Sequence, residues 1–277
     1  MRRRRDGLRL GGLVRLIHPA PALAVITVSA ALATILAIQA HAALDARLAL
    51  IVVSVTGSQV ATGALNDWRD RHRDALVRSD KPIAAGEVDP RAALVLGGAG
   101  LAVQLAASAL LGWLPLALGG AASVSAQAYN LVLSRTPLSF VPYLVSFGLL
   151  PAWIASGIGV PLERVVSASL LVVPFAVSAH LANCLLDWEA DVAEGSHNLA
   201  QVLGRPRSRL VAAGLALAVG IGVAAAFALS ERLQPLNALL GAAGVVAAAQ
   251  GARSERRLWY GLLAAAVLWT VAWAIST

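Results

Sequence analysis

The stretch Asn66-Asp67-Trp68-Arg69-Asp70-Arg71-His72-Arg73-Asp74 closes a long apolar run, and its pattern returns, short of one acid, as Asn183-Cys184-Leu185-Leu186-Asp187-Trp188-Glu189-Ala190-Asp191. In each copy the Asn and the two later Asp stand four residues apart, so on a helix they form one stripe. Carboxylates this close repel one another and raise each other's pKa unless a cation sits among them. Oxygen-only ligands suit Mg²⁺, which keeps several waters and is often completed by substrate phosphates. One such motif alone could equally be a solvated, helix-capping acidic loop. Two copies offset by the same 117 positions point to an internal duplication, in which each half delivers one acidic stripe and the stripes face each other across a single cavity.

Outside the motifs the chain is apolar. Hydrophobic residues make up 58% and charged residues 13%, with 24 Gly and a mean hydropathy of +0.73, which excludes an ordinary soluble domain. Crossing the hydrocarbon needs roughly 17–25 apolar residues. Nine stretches qualify: about 17–40, 48–66, 92–112, 114–133, 138–157, 165–185, 209–229, 234–250 and 258–275. Several are rich in Ala and Gly, as close helix packing in lipid requires. The expected fold class is therefore an all-α integral membrane protein with nine transmembrane helices, its two parallel-related halves set around a central cavity. A basic tail, 1–16, precedes a single transmembrane domain, 17–277. Its halves run over about 17–133 and 138–250, with a last helix at about 258–275.

Short cytoplasmic loops collect Lys and Arg. With the N-terminus inside, 19 of the 22 basic residues fall on the cytoplasmic side, leaving only Arg47, Arg164 and Arg232 outside. Both acidic motifs then lie at the cytoplasmic face of a multi-pass cell-membrane protein. The net charge of +7 is a topology signal and gives no case for nucleic-acid binding; the Arg2 to Arg5 run suits anionic lipid headgroups of the bilayer. The Arg-rich start and Ala40-His41-Ala42 imitate a signal peptide, but the apolar stretch is too long and eight spans follow. The single cysteine, Cys184, excludes an internal disulfide. His18, His41 and His180 show no ligand spacing, which argues against zinc.

The loops after the motifs hold further chemistry. Arg78-Ser79-Asp80-Lys81-Pro82-Ile83-Ala84-Ala85-Gly86 places Lys81 where it could neutralise a phosphate oxygen left free by a metal, although basic residues at a membrane edge are also topology markers. Tyr129-Asn130-x-x-x-Ser134-Arg135-Thr136-Pro137 offers Arg135 to a diphosphate. Tyr129 either faces a carbocation with its ring or anchors at the interface. His197 stands where a second phosphate-binding cation would be useful, or is an ordinary loop histidine. For Trp68 and Trp188, interfacial anchoring is the simpler reading than stacking on a substrate.

With the Arg15-Leu16-Ile17-His18-Pro19 entrance to the first span, and Gly195 and Leu203-Gly204 after the second motif, these stretches together resemble the UbiA superfamily of intramembrane prenyltransferases over nearly the whole chain. That resemblance implies nine helices and two Mg²⁺ ions that bind the diphosphate of an isoprenoid donor, so that the C1–O bond ionises towards an allylic cation attacked by a lipophilic or aromatic acceptor. It implies Asn66, Asp67, Asp70, Asp74, Asn183, Asp187 and Asp191 as metal ligands. It further implies Arg15, Asn66, Arg78, Lys81, Arg135 and Asn183 at the diphosphate, with Asp70, Asp187, Lys81, Arg135 and Tyr129 carrying catalysis. Three departures stand out. Cys184 replaces a common second Asp, Lys81-Pro82-Ile83 replaces Arg-Pro-Ile, and His197-Asn198 replaces Lys-Thr. The alternatives are an intramembrane terpene cyclase using the same ionisation, a phosphoribosyl-type transferase and a transporter. Transport sites favour acids near the bilayer midplane, whereas 10 of the 15 acids here lie in the two motif loops.

Overall fold

The structure, a computed structural model, describes residues 10–193, 195–229, 233–250 and 254–275. The basic run Arg2 to Arg5, together with Arg9, Glu194, Arg232 and Arg253, lies outside the described residues. Among those described, every regular element is helical. A short α1 (Leu10–Leu16) leads into α2 (Pro19–Gln39), α3 (Ala46–Val77), α4 (Pro90–Leu111), α5 (Trp113–Leu131), α6 (Val141–Gly157) and α7 (Val166–Leu186). Short α8 (Trp188–Ala193) and α9 (Leu199–Leu203) follow, then α10 (Arg205–Leu229), α11 (Pro235–Ala249) and α12 (Glu255–Ala274). Each of the nine expected spans falls on one helix of 15 residues or more. Among the described residues, five stretches are long and apolar enough to cross a membrane by length and composition: α2, α3, α4, Leu162–Leu186 and α10.

Local chemistry sets the ends. Asp45 caps α3 by accepting the Arg47 N–H at 2.8 Å, and Asp89 caps α4 through the Arg91 N–H at 2.7 Å, with Pro90 pre-set for the first helical position. α3 continues past the apolar span expected at about 48–66: it runs unbroken to Val77 and carries the first motif as the expected helical stripe. The charges tolerate this because basic side chains of the same helix and the next loop neutralise the acids. By contrast α7 stops at Leu186, and Asp187 (φ −96°, ψ 11°) forms a break before α8. The second stripe is thus not one continuous helix, although the Asp191 N–H still reaches the Asp187 carbonyl at 2.9 Å.

α3 and α4 pack most closely where glycines remove the side-chain spacer. A Cβ on Gly57 would stand 2.6 Å from the Gly100 carbonyl oxygen. Beside them Ser54 donates to the Gln104 carbonyl at 3.0 Å and lies 2.7 Å from the Ser108 hydroxyl, the small-residue and polar adhesion expected in lipid. One apolar core joins α2, α3 and α6 around Leu36, Ile51, Val55 and Ile154. Another joins α7, α10 and α12 around Leu181, Leu185, Leu258 and Trp269. The two acidic motifs meet at one end of this bundle.

Candidate functional site

The end of α3 turns its acids inward: Asp67, Asp70 and Asp74 are only 2%, 9% and 1% exposed. Buried carboxylates need partners, and the following loop supplies one. The Arg78 N–H bonds the Asp74 carbonyl at 2.8 Å and the Lys81 N–H bonds the Arg78 carbonyl at 2.9 Å. This turn delivers the Lys81 ammonium between two acids, 2.9 Å from Asp67 Oδ1 and 3.0 Å from Asp74 Oδ2. Burial alone would push the Lys81 pKa down, but Asp67 and Asp74 outweigh it and hold it above the ordinary lysine value.

His18 completes this corner, a role that sequence reading missed. Its Nε2 lies 2.9 Å from Asp67 Oδ1. The approach depends on Gly63, where a Cβ would stand 2.6 Å from the Leu16 carbonyl oxygen and 2.9 Å from the Ile17 backbone. His18 itself adopts φ 51°, ψ 70°, a left-handed conformation that costs a non-glycine residue about 1–2 kcal/mol and tends to persist at functional sites. The only sequence signal was its place before Pro19 at the start of α2.

Cations of the first motif reach across to the second. Arg73 lies 3.5 Å from Asp70, 3.4 Å from Asp74 and 3.9 Å from Asp191. Arg78 pairs closely with Asp187. Asp191 also accepts the Asn198 side-chain amide at 2.7 Å. Beside the second motif lies a pocket of about 280 Å³ lined by Leu186, Asp187, Glu189 and Ala190 and, from the end of α3, by Val77 and Arg78. The predicted juxtaposition of the two stripes is therefore present, and basic side chains hold it together.

Other expected residues fall into place unevenly. Arg135 approaches Asp70 Oδ1 at 3.5 Å. Asn66 donates to Asp70 at 3.5 Å and to Asn130 at 3.3 Å, and the buried Asn130 is fixed to the Thr62 carbonyl. Asn183 is half-buried one turn before Asp187. Arg15 is turned to Glu87 at 3.1 Å and to the Asp80 carbonyl, so it pins the loop that bears Lys81. Tyr129 meets Tyr143 edge-on at 5.3 Å between ring centroids and His180 at 6.0 Å, an aromatic group sequence reading did not assemble. His197 has an exposed side chain, and its N–H bonds the Arg135 carbonyl. Arg71 lies over the Trp68 ring at 4.9 Å and Arg205 over Trp188 at 5.8 Å, which favours anchoring over substrate stacking for both indoles.

Residues 24–275 match the UbiA prenyltransferase family. The chain belongs to that family. It is thus a multi-pass membrane protein and a transferase of prenyl groups. This UbiA prenyltransferase is 33% identical over 210 residues to the digeranylgeranylglyceryl phosphate synthase of Natronomonas pharaonis, a match that covers 74% of each chain. Its fold is that of a UbiA homologue from Aeropyrum pernix K1 (TM-score 0.71, 18% identity, 91% of this chain and 96% of that one). A UbiA homologue from Archaeoglobus fulgidus bound to GPP and Mg²⁺ gives a TM-score of 0.69 at 17% identity, covering 95% of this chain and 99% of that one.

The donor set of this UbiA member fits Mg²⁺ in chemistry, being all oxygen. Asp67 Oδ2 is buried and accepts no hydrogen bond, an orphaned oxygen that fits a cation-binding group. Among the described residues, however, no three acidic, His or Cys side chains gather closely enough to share one ion. Lys81, Arg73 and Arg78 stand between the carboxylates instead. A metal held by these acids would need the basic side chains to give up part of their contact with them.

Proposed function

We propose that this UbiA prenyltransferase catalyses Mg²⁺-dependent transfer of a prenyl group from a polyprenyl diphosphate to a lipophilic acceptor, at the cytoplasmic end of a nine-span bundle. The observation that carries this reading is the interleaving of Lys81, Arg73, Arg78 and Arg135 with the acids of both motifs around one site. Acids alone would suit a bare cation, and cations alone a simple anion. The mixture suits a metal diphosphate.

Asp67, Asp70 and Asp74 with Asn66, and Asp187 and Asp191 with Asn183, would hold the ions. When bound, Mg²⁺ would supply positive charge to the diphosphate oxygens as the C1–O bond breaks. Lys81 and Arg135 would donate to the departing oxygens, stabilising charge where it develops. Arg78 would do the same once released from Asp187. Tyr129 and Tyr143 offer ring faces and edges near the second motif, where an allylic cation would be shielded from water. The name of the Natronomonas pharaonis relative favours an acceptor bearing a glyceryl phosphate over an aromatic one.

The test is diphosphate release from geranyl, farnesyl and geranylgeranyl diphosphates by protein in nanodiscs. Asp70→Ala, Asp187→Ala and EDTA serve as controls, and products are analysed with and without a prenylated glyceryl phosphate. Mg²⁺-dependent release lost in both variants, with an ether product formed only when acceptor is present, is the expected result. A cyclised hydrocarbon from donor alone would instead establish the cyclase reading, and no release from any donor would refute both.

A further inference from the structure

Ser139 and His180 belong to neither acidic motif, yet three separate segments meet on them. Both are fully buried. Ser139 Oγ lies 2.9 Å from His180 Nε2 and accepts the Leu199 N–H at 3.0 Å. Four residues before Ser139, the Arg135 carbonyl accepts the His197 N–H at 3.1 Å. Two hydrogen bonds thus staple segment 133–140 to segment 196–199, and His180 ties the staple to α7. Around His180 stand Tyr129, Tyr143 at 5.0 Å between centroids, and Cys184 Sγ at 3.6 Å from Nε2.

The stapled segments each deliver one polar group to the candidate site. Arg135 Nη2 approaches Asp70 of the first motif at 3.5 Å. Asn198 Nδ2 donates to Asp191 of the second at 2.7 Å. Neither segment is a long helix, so neither is held in register by its own backbone ladder; the relative position of Arg135 and Asn198 depends on the bonds between them. A buried hydroxyl and imidazole suit this task because each is costly to leave unpaired, so the pair favours one arrangement.

We infer that Ser139 and His180 are positioning residues that fix Arg135 relative to the second acidic motif and thereby set affinity for the donor's diphosphate. The inference rests on the proposed reading of the site as a diphosphate site. It assigns the pair no contact with substrate and no proton.

The experiment uses the full chain in nanodiscs with Ser139→Ala, Ser139→Thr and His180→Phe. Binding of inorganic diphosphate in the presence of Mg²⁺ is measured by calorimetry, release from geranylgeranyl diphosphate by kinetics, and folding by thermal denaturation. Loss of the hydroxyl or of the imidazole should weaken diphosphate binding and raise donor KM about tenfold, the effect of one or two hydrogen bonds, with a smaller fall in kcat because Arg135 also donates to the departing oxygens. Ser139→Thr keeps the hydroxyl and should bind as wild type does. Unchanged binding in Ser139→Ala, equal losses in the Ala and Thr variants, or a loss confined to kcat would each overturn the inference. If Ser139→Ala fails to fold, His180→Phe, which keeps an aromatic ring, cuts the tie of the staple to α7 and decides the question by the same readouts. A wild type that binds diphosphate but releases none from prenyl donors sinks the proposed function alone, since the binding series still decides this inference; a wild type that binds none sinks both.

Discussion

The guanidinium of Arg78, one residue past the end of α3, pairs with the carboxylate of Asp187 at the break between α7 and α8. Arg73 makes a second crossing, to Asp191 at 3.9 Å. The two acidic motifs therefore approach each other across a layer of cations that the first motif itself provides. Arginine and lysine supply charge neutralisation that the spacing of the acids assigned to a metal.

Both partners of the Arg78–Asp187 pair are partly exposed, and such pairs contribute less than about 1 kcal/mol to stability. Arg78→Ala should shift the thermal midpoint in nanodiscs by no more than about 3 °C. Donor KM should still rise about tenfold, through loss of a charge-assisted phosphate contact. A large drop in midpoint with unchanged KM would show that Arg78 serves the fold and not the donor.

Lys81 neutralises two acids that are almost fully buried, so its removal leaves uncompensated charge. Lys81→Met should destabilise the protein by about 3–5 kcal/mol. Added Mg²⁺ should recover more stability in this variant than in wild type, because ion binding to the folded state stabilises by mass action and no ammonium competes for Asp67 and Asp74. Equal Mg²⁺ shifts in the two proteins, read by denaturation with and without EDTA, would count against competition between Lys81 and a metal.

At His18, backbone and side chain can be separated. Asn tolerates positive φ but is too short to keep the same contact with Asp67, so His18→Asn should retain stability within about 1 kcal/mol while prenyl transfer falls several-fold. His18→Val meets the full left-handed penalty as well and should lose about 1–2 kcal/mol more. Denaturation and release measured on both variants separate the two effects, and an inert His18→Asn would show that the Asp67 contact is dispensable.

Glu255, at the start of α12, accepts a hydrogen bond from Arg205 at 2.6 Å and lies 3.0 Å from Arg209. The Arg205 bond, with that of Arg209, holds its carboxyl below the usual glutamate range despite partial burial. A pKa lowered by folding means stability that is present above the unfolded value, 4.5, and is lost as pH falls through the folded value. Thermal midpoints of wild type should therefore drop more steeply as pH falls below about 5 than those of Glu255→Gln, which is less stable at pH 7. Parallel profiles would remove Glu255 from the acid response.

The site was legible in part, and particular residues show why. Asn66, Asp70 and Asp74 could be placed on one face because a helix repeats about every 3.6 residues, a periodicity written directly into the chain. Lys81 was found because it follows the motif within a short turn. His18, Asn130, Ser139 and His180 were not found, because the partners that fix them lie 41 to 68 residues away, and sequence spacing says nothing about which faces of separate helices meet.

The sequence by itself determined the helical membrane class, the positions of the long helices and the two acidic motifs, because apolar length and helical period are local properties of the chain. Only the tertiary structure decided which cation neutralises which carboxylate, that α3 carries its motif unbroken while α7 breaks at Asp187, that His18 reaches Asp67 and that Ser139 joins two distant loop segments. Those outcomes depend on the close approach of distant segments, at Gly63 for one, and on burial that forces each charge to find a partner in space.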